Sequence, residues 1–305
     1  MEQKIPLTKG QVIRVTIDNL NHQGEGVTRY KNFVLFVPGG VPGDELLVEI
    51  LSIKKNFARS RINEILNASP ARIKPHCKHF PECGGCQLQH IDYSEQLKYK
   101  TRMVREAVRR IGSISENTVK EITGMEHTWH YRNKAQFPVG QQDNIIKIGY
   151  YAPGSHTLVD VDHCLIQHKL NNKVLKVMKE IIKKYNLSVY HRKTGKGLIR
   201  HIGSKVSSCT GEVMVLLVTN GKKLPHQEKI VEKLRQEIPE LVSIVQNINT
   251  RKGNIILGDQ DILLYGKPQI TESIGELKYN ISSQAFFQVN FSQTKVLYDK
   301  ILNYA

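Results

Sequence analysis

Apolar and polar residues alternate in three short runs near the N-terminus, Ile13-Val15-Ile17, Phe33 to Val37 and Leu46-Val48-Ile50, punctuated by Gly24, Gly26, Gly39, Gly40, Pro42 and Gly43. Alternation with period two puts successive side chains on opposite faces, and turn residues this closely spaced leave room only for brief antiparallel strands. Residues 1–66 are therefore expected to form a small OB-like β-barrel, a shape that recurs in nucleic-acid binding. From Asn67 to Asp92 neither period is present. The pattern then changes: Leu97, Thr101, Val104, Val108 and Ile111 recur at intervals of three and four, with Asp92 or Ser94 placed to cap and Gly112 to stop a helix.

Beyond that helix, strand and helix signals alternate. Strands are predicted at Lys134 to Val139, Ile145 to Tyr151, Leu198 to Ser204, Glu212 to Thr219 and Leu241 to Gln246. Helices are predicted through Leu170, Val174, Val177 and Ile181, and through Val231, Leu234 and Ile238. Asn220-Gly221 and Thr250 to Gly253 read as turns. After Ile255 to Tyr265, a strand-like stretch from Leu277 to Val289 runs into a last helix, Phe291 to Tyr304. The expected fold class is multi-domain α+β, without internal repeats.

A chain of 305 residues has room for two or three domains, and its 40% hydrophobic content excludes wholesale disorder. No window approaches the ~18 uninterrupted apolar residues of a membrane helix, and the first ten residues lack the apolar core of a secretory signal, so a cytoplasmic protein is expected. The formal net charge of +16 changes the picture more. Residues 171–253 hold 17 basic and six acidic residues and carry most of the excess. No lipidation motif or juxtamembrane helix accompanies it, which favours nucleic acid over an anionic membrane as the partner.

Five cysteines, at 77, 83, 86, 164 and 209, form an odd set in a chain without a secretory signal, which argues against a disulfide framework. Cys77, Cys83 and Cys86 share one loop, with Gly84-Gly85 letting backbone N–H groups approach the sulfurs. Cys164 follows His163 and is placed to complete a set of four thiolates. Such a set suits an iron–sulfur cluster or tetrahedral zinc, and buried thiols are the third alternative; His76, His79, His90 and His163 leave mixed ligation open. Cys209, in Ser207-Ser208-Cys209-Thr210-Gly211, has no partner at ligand spacing and reads as an ordinary thiol.

With these residues assembled, the chain resembles the S-adenosylmethionine-dependent RNA (uracil-C5)-methyltransferases, specifically the 23S rRNA type that carries a TRAM domain and an iron–sulfur cluster. Gly24 to Val27 with Phe36 to Asp44 resembles the TRAM barrel, and Cys77, Cys83, Cys86 and Cys164 match the family's [4Fe-4S] ligands. His130-Tyr131-Arg132-Asn133-Lys134 is similar to the start of its central domain. Ser283 to Asn290 is similar to the segment opening its catalytic domain, where the residue at Gln288 contacts the methyl donor and the aromatic at Phe286 packs near the target base. The resemblance implies a monomeric RNA-binding transferase, with Arg132, Lys134 and Phe286 at the RNA. It divides the chain into a TRAM-like barrel at 1–66, a central iron–sulfur and RNA-binding domain at 67–270, and the beginning of a Rossmann-like methyltransferase domain at 271–305.

Uracil C5 becomes nucleophilic only when a thiolate adds at C6, and a base must later remove the C5 proton. Gly24-x-Gly26 and Gly195-x-Gly197 are near matches to a donor loop, yet neither has the third glycine in register. Cys209 lacks the proline-containing surroundings of the family's nucleophile. The chain is therefore expected to end before the donor site, nucleophile and base, to hold no catalytic residue of its own, and alone to bind RNA without transferring a methyl group. The alternatives are a non-catalytic RNA-binding iron–sulfur or zinc module and a fragment of a tRNA uracil-C5 methyltransferase.

Overall fold

The computed structural model describes residues 5–142 and 145–305, so Glu2 and Lys4 of the N-terminal segment lie outside it. The chain divides into two compact units, Met1–Gly124 and Met125–Ala305.

The first unit begins with β1 (Val12–Thr16), β2 (Asn19–Leu20), β3 (Gly26–Tyr30), β4 (Phe33–Val37), β5 (Glu45–Ile53) and β6 (Phe57–Asn67), arranged β1-β5-β6-β4-β3-β2. All neighbours are antiparallel except the parallel pair of β4 and β6. The link between β1 and β2 closes this sheet: Ile17 N–H donates to Asp44 O and Asp18 N–H to Val27 O. The predicted alternation is realised, with Phe33, Leu35 and Val37 from β4 meeting Leu46, Val48 and Ile50 from β5 inside. Gly26 sits where any side chain would meet the Gly40 backbone at about 3.0 Å, so the glycines serve close strand approach.

Helix α1 (Tyr93–Arg110) has Asp92 as its N-cap, accepting from Ser94 N–H at 2.9 Å. The boundaries match the sequence pattern; the burial does not. Thr101 is the buried residue of α1, while Val104 is 51% and Ile111 86% exposed.

The second unit is a seven-stranded sheet in three layers. Its strands are β7 (Lys134–Gln142), β8 (Ile145–Tyr151), β9 (Leu158–Asp160), β10 (Ile199–Val206), β11 (Val213–Thr219), β12 (Leu241–Ile248) and β13 (Gln260–Gly266), ordered β13-β12-β11-β10-β7-β8-β9. The β11–β12 pair is parallel and is joined through helix α3 (Gln227–Glu237); the other pairs are antiparallel. Every residue of β11 is buried, because both faces are covered. Val213, Val215 and Leu217 pack with α3 and with helix α2 (Lys169–Lys184), while Met214 and Leu216 pack with the hairpin β14 (Gln269–Ile274) and β15 (Leu277–Ser282). Helix α4 (Phe291–Tyr304) follows.

Two apolar stretches marked in the sequence, of which the second reads as strand-like, pair over only part of their length. The Ile255 to Tyr265 stretch pairs only from Gln260, because Asn247 takes both the N–H and the carbonyl of Gly258 with its side chain. The Leu277 to Val289 stretch leaves the ladder after Ser282. No helix among the described residues is long and apolar enough to cross a membrane.

Candidate functional site

Ser283 to Asn290 is extended without being a strand. Its side chains still alternate: Gln284, Phe286 and Gln288 face solvent, while Ala285, Phe287 and Val289 turn inward. Phe287 stacks at a tilt on Tyr279, with centroids 5.8 Å apart, and joins Met214, Leu216, Ile270 and Ile281. Phe286 is 80% exposed, an unusual position for a phenyl ring in a chain of this burial.

What bonds this segment, in place of a partner strand, is Lys205 of β10 together with Arg132 and Asn133 just before β7. Lys205 is 5% exposed, and its ammonium donates to Ser282 O at 2.6 Å and Ala285 O at 2.8 Å. Asn133 N–H donates to Val289 O at 2.9 Å and its carboxamide to Gln288 O at 3.1 Å. Arg132 forms an antiparallel bridge with Asn290. At the other side, the Ser283 hydroxyl donates to Asp261, and the Gln284 amide reaches the same carboxylate at 3.3 Å. Several backbone carbonyls of the segment are thereby bonded, and the exposed side chains stand out as its functional groups.

The predicted RNA contacts Arg132 and Lys134 stand beside this segment. Lys134 and Lys205 line one small cleft with Asn133, Val206, Ala285 and Phe287. Burial holds the Lys205 ammonium down to about 8, and the neighbouring Lys134 charge adds to the effect. Lys134 is lowered by its own burial and then by Arg132. The Lys205 charge is held in place beside Lys134 by the two carbonyl oxygens that it bonds. Lys205 was not singled out by the sequence, where it is one lysine among many; its signal is the inward position that the β10 alternation assigns it.

The loop after Cys164 reaches the same place from the other flank. Arg132 N–H donates to Ile166 O at 2.9 Å, and Arg132 O accepts from His168 N–H at 2.9 Å and from the Asn171 amide at 3.1 Å. Asn172 clamps Cys164 through both backbone groups, at 2.8 and 3.0 Å. His130 to Lys134 thus lies between the Cys164 loop and the Ser283 to Asn290 segment.

Cys77, Cys83 and Cys86 lie in the first unit and Cys164 in the second. Gly85 N–H points at the Cys83 sulfur at 3.4 Å, and none of residues 72–89 is buried. Burial pushes the Cys83 thiol up, with Cys86 and Cys77 nearby adding to it. No cysteine forms a disulfide, and among the described residues no group of three or more His, Cys, Asp or Glu stands at metal-holding geometry. Of the histidines considered as further ligands, His90 is 4% exposed, stacks on Phe80 at 5.3 Å, and is held down to about 4 by burial and the Arg72 charge. His163 meets His130 edge-on at 5.8 Å.

Cys209 is exposed, and the Glu272 carboxylate beside it pushes its thiol up rather than down. That is the reverse of an activated nucleophile. The two glycine pairs are also accounted for by packing. A side chain at Gly24 would meet Leu88, and one at Gly197 (φ +97°) would lie 2.0 Å from Val189 O.

Comparison with known proteins adds the following. The TRAM domain model matches residues 6–62, the barrel of the first unit. An RNA methyltransferase of Halalkalibacterium halodurans, uncharacterized in its own activity, is 40% identical over all of this chain, which spans 66% of that relative. A second, from Clostridium acetobutylicum, is 40% identical, with all of this chain spanning 67% of it. The crystal structure of the Pyrococcus abyssi tRNA (uracil-54, C5)-methyltransferase with S-adenosyl-L-homocysteine superposes with a TM-score of 0.74 at 27% identity, covering 95% of this chain and 64% of that one. The chain thus spans about two thirds of the length of the proteins it matches.

Proposed function

We propose, since this chain belongs to the RNA methyltransferase family, that its residues serve S-adenosylmethionine-dependent methylation of uracil C5 in RNA. The observation that carries the reading is the solvent-facing row Gln284, Phe286 and Gln288 on a backbone pinned by Lys205 and Asn133. The exposed Phe286 ring offers a stacking platform for a base turned out of its helix. The exposed Gln288 carboxamide, its main-chain carbonyl already bonded to Asn133, is available to the methyl donor, which when bound supplies the electrophilic methyl group. Arg132, with Lys134 behind it, provides cationic character for the adjoining phosphate. The barrel at 1–66 and the central domain at 67–270 hold the RNA, and 271–305 opens the catalytic domain.

Cys209, whose thiol is pushed up by the Glu272 carboxylate, is ill suited to the C6 addition. From the family resemblance we read these 305 residues by themselves as a binding and positioning portion that acts as a monomer. We favour 23S rRNA as substrate from the family resemblance; the likeness to a tRNA enzyme supports tRNA as the second reading. From the family resemblance, Cys77, Cys83, Cys86 and Cys164 would hold a [4Fe-4S] cluster, which when bound would supply a covalent staple. The reading is supported by four cysteines outside any disulfide, by the N–H directed at Cys83, and by a loop with no buried residue from 72 to 89.

The test uses methyl-labelled S-adenosylmethionine with 23S rRNA and with tRNA. The 305-residue chain should retain RNA and incorporate no label. Joined to the remaining third of the H. halodurans relative, it should label uracil C5. Label on another base or atom overturns the reaction, and label in tRNA alone moves the substrate. Anaerobic purification should yield iron and sulfide in equal amounts; zinc instead would overturn the cluster.

A further inference from the structure

The charge excess of residues 171–253 is not spread evenly over the second unit. Three loops meet at one end of its sheet: 191–197 before β10, 220–223 after β11 and 250–254 after β12. They expose Arg192, Lys193, Lys196, Lys222, Lys223 and Lys252, and none of the three loops contains an acidic residue. Arg251, in the third loop, pairs with Asp259 just beyond it. By contrast several cations of the helices have carboxylates within reach, as Lys179 has Asp160 and Lys233 has Glu237 and Glu180.

These loops are also braced against one another. The Asn220 amide donates to Gly195 O at 3.1 Å and Gly197 O at 3.0 Å, tying the first loop to the second. Arg192 donates to Asn254 at 2.7 Å, tying the first to the third. Beneath them Arg200, 4% exposed, donates to the carbonyls of Asn249 and Arg251 at 2.7 Å each and lies 4.2 Å above the Tyr190 ring. A buried cation under a layer of exposed cations raises the local positive potential, and the bracing means little ordering remains to be done on binding.

We infer that this end of the sheet is a docking surface for the phosphate backbone of RNA, separate from the Phe286 segment. The inference rests on the RNA reading above. β10 runs from Ile199 at this end to Lys205 and Val206 beside the Ser283 to Asn290 segment, a span of about 20 Å at ~3.3 Å per residue. At ~3.4 Å per stacked nucleotide, the surface grips the strand about six nucleotides from the base at Phe286. Contacts of this kind set register and carry no sequence information.

The test compares two fourfold variants of equal charge change, K193A/K196A/K222A/K223A in the loops and K173A/K176A/K183A/K184A on α2, by filter binding to a uridine-containing RNA stem-loop over a range of potassium chloride. The loop variant should bind at least tenfold more weakly near physiological salt, with its log–log salt slope reduced by about three, since each lost phosphate contact removes ~0.7 to 0.9. The α2 variant should lose less than one unit of slope. An unchanged loop variant, or equal losses in both, overturns the inference and leaves only diffuse charge. Absence of salt-sensitive RNA binding by the unaltered chain overturns the RNA reading itself, and this surface with it.

Discussion

Helices α1 and α2 carry the same kind of amphipathic pattern and meet different fates. In α2, Val174, Leu175, Val177, Met178, Ile181 and Ile182 are all buried, because the helix lies on a wide sheet whose facing residues are Phe137, Ile199, Ile202 and Val215. In α1, Val104 remains exposed, as does Ile111 at its C-cap, and the small apolar cluster beneath the helix is Leu20, Val41, Ala71 and Ile91 with Leu88 and Tyr99. A periodic stripe therefore predicts a helix, while a matching surface decides whether that stripe is buried. What the first unit lacks in apolar area around α1 it replaces with a polar anchor. Asp44, fully buried, accepts from Val41 N–H at 2.7 Å and Ser69 N–H at 2.9 Å and pairs with Arg72 at 2.5 Å, tying the barrel to the segment leading into α1.

The contrast can be broken at its polar end first. Asp44→Asn should destabilise the first unit by about 3–5 kcal/mol, because it leaves Arg72 charged and without its buried partner. Burial by itself would raise the Asp44 carboxyl, but the bonds from Arg72, Ser69 and Val41 outweigh it and hold it below the usual carboxylate value. A group lowered on folding stabilises above its unfolded value and loses that contribution as pH falls through the folded one. Denaturant unfolding of the unaltered chain should therefore weaken in acid below about pH 4 relative to Asp44→Asn, and parallel curves would remove the anchor. At the apolar end, Met178→Ala should cost about 2–5 kcal/mol by opening a cavity between α2 and the sheet, read from the unfolding midpoint of the second unit. Smallest of the three, Ile111→Ser at the C-cap of α1 should change stability by no more than about 0.5 kcal/mol. A cost comparable to that of Met178→Ala would mean that the α1 stripe is covered after all.

Much of the architecture was legible from periodicity. The alternating runs at Ile13, Phe33 and Leu46 became barrel strands, and the spacing through Leu170 to Ile181 became α2. Less visible were β6 and β14, whose sequences Phe57–Asn67 and Gln269–Ile274 are too polar to announce a strand and are held by their neighbours. At the site, Phe286 and Gln288 stood out only through family likeness, since period two predicts their shared face but not that the ladder stops at Ser282. The positions that hold them, Lys205, Asn133 and Asp261, lie 22 to 155 residues away along the chain from the groups they bond.

The amino-acid sequence alone determined which stretches extend, which coil into helices, and where the chain is cationic, because these follow from side-chain period, caps and charge within a short window. The tertiary structure decided which of those faces found a partner, which lysine became a buried clamp instead of a solvated charge, and that three basic loops share one sheet end. Those outcomes depend on strand order and on contacts between residues far apart in the chain, and no local pattern encodes them.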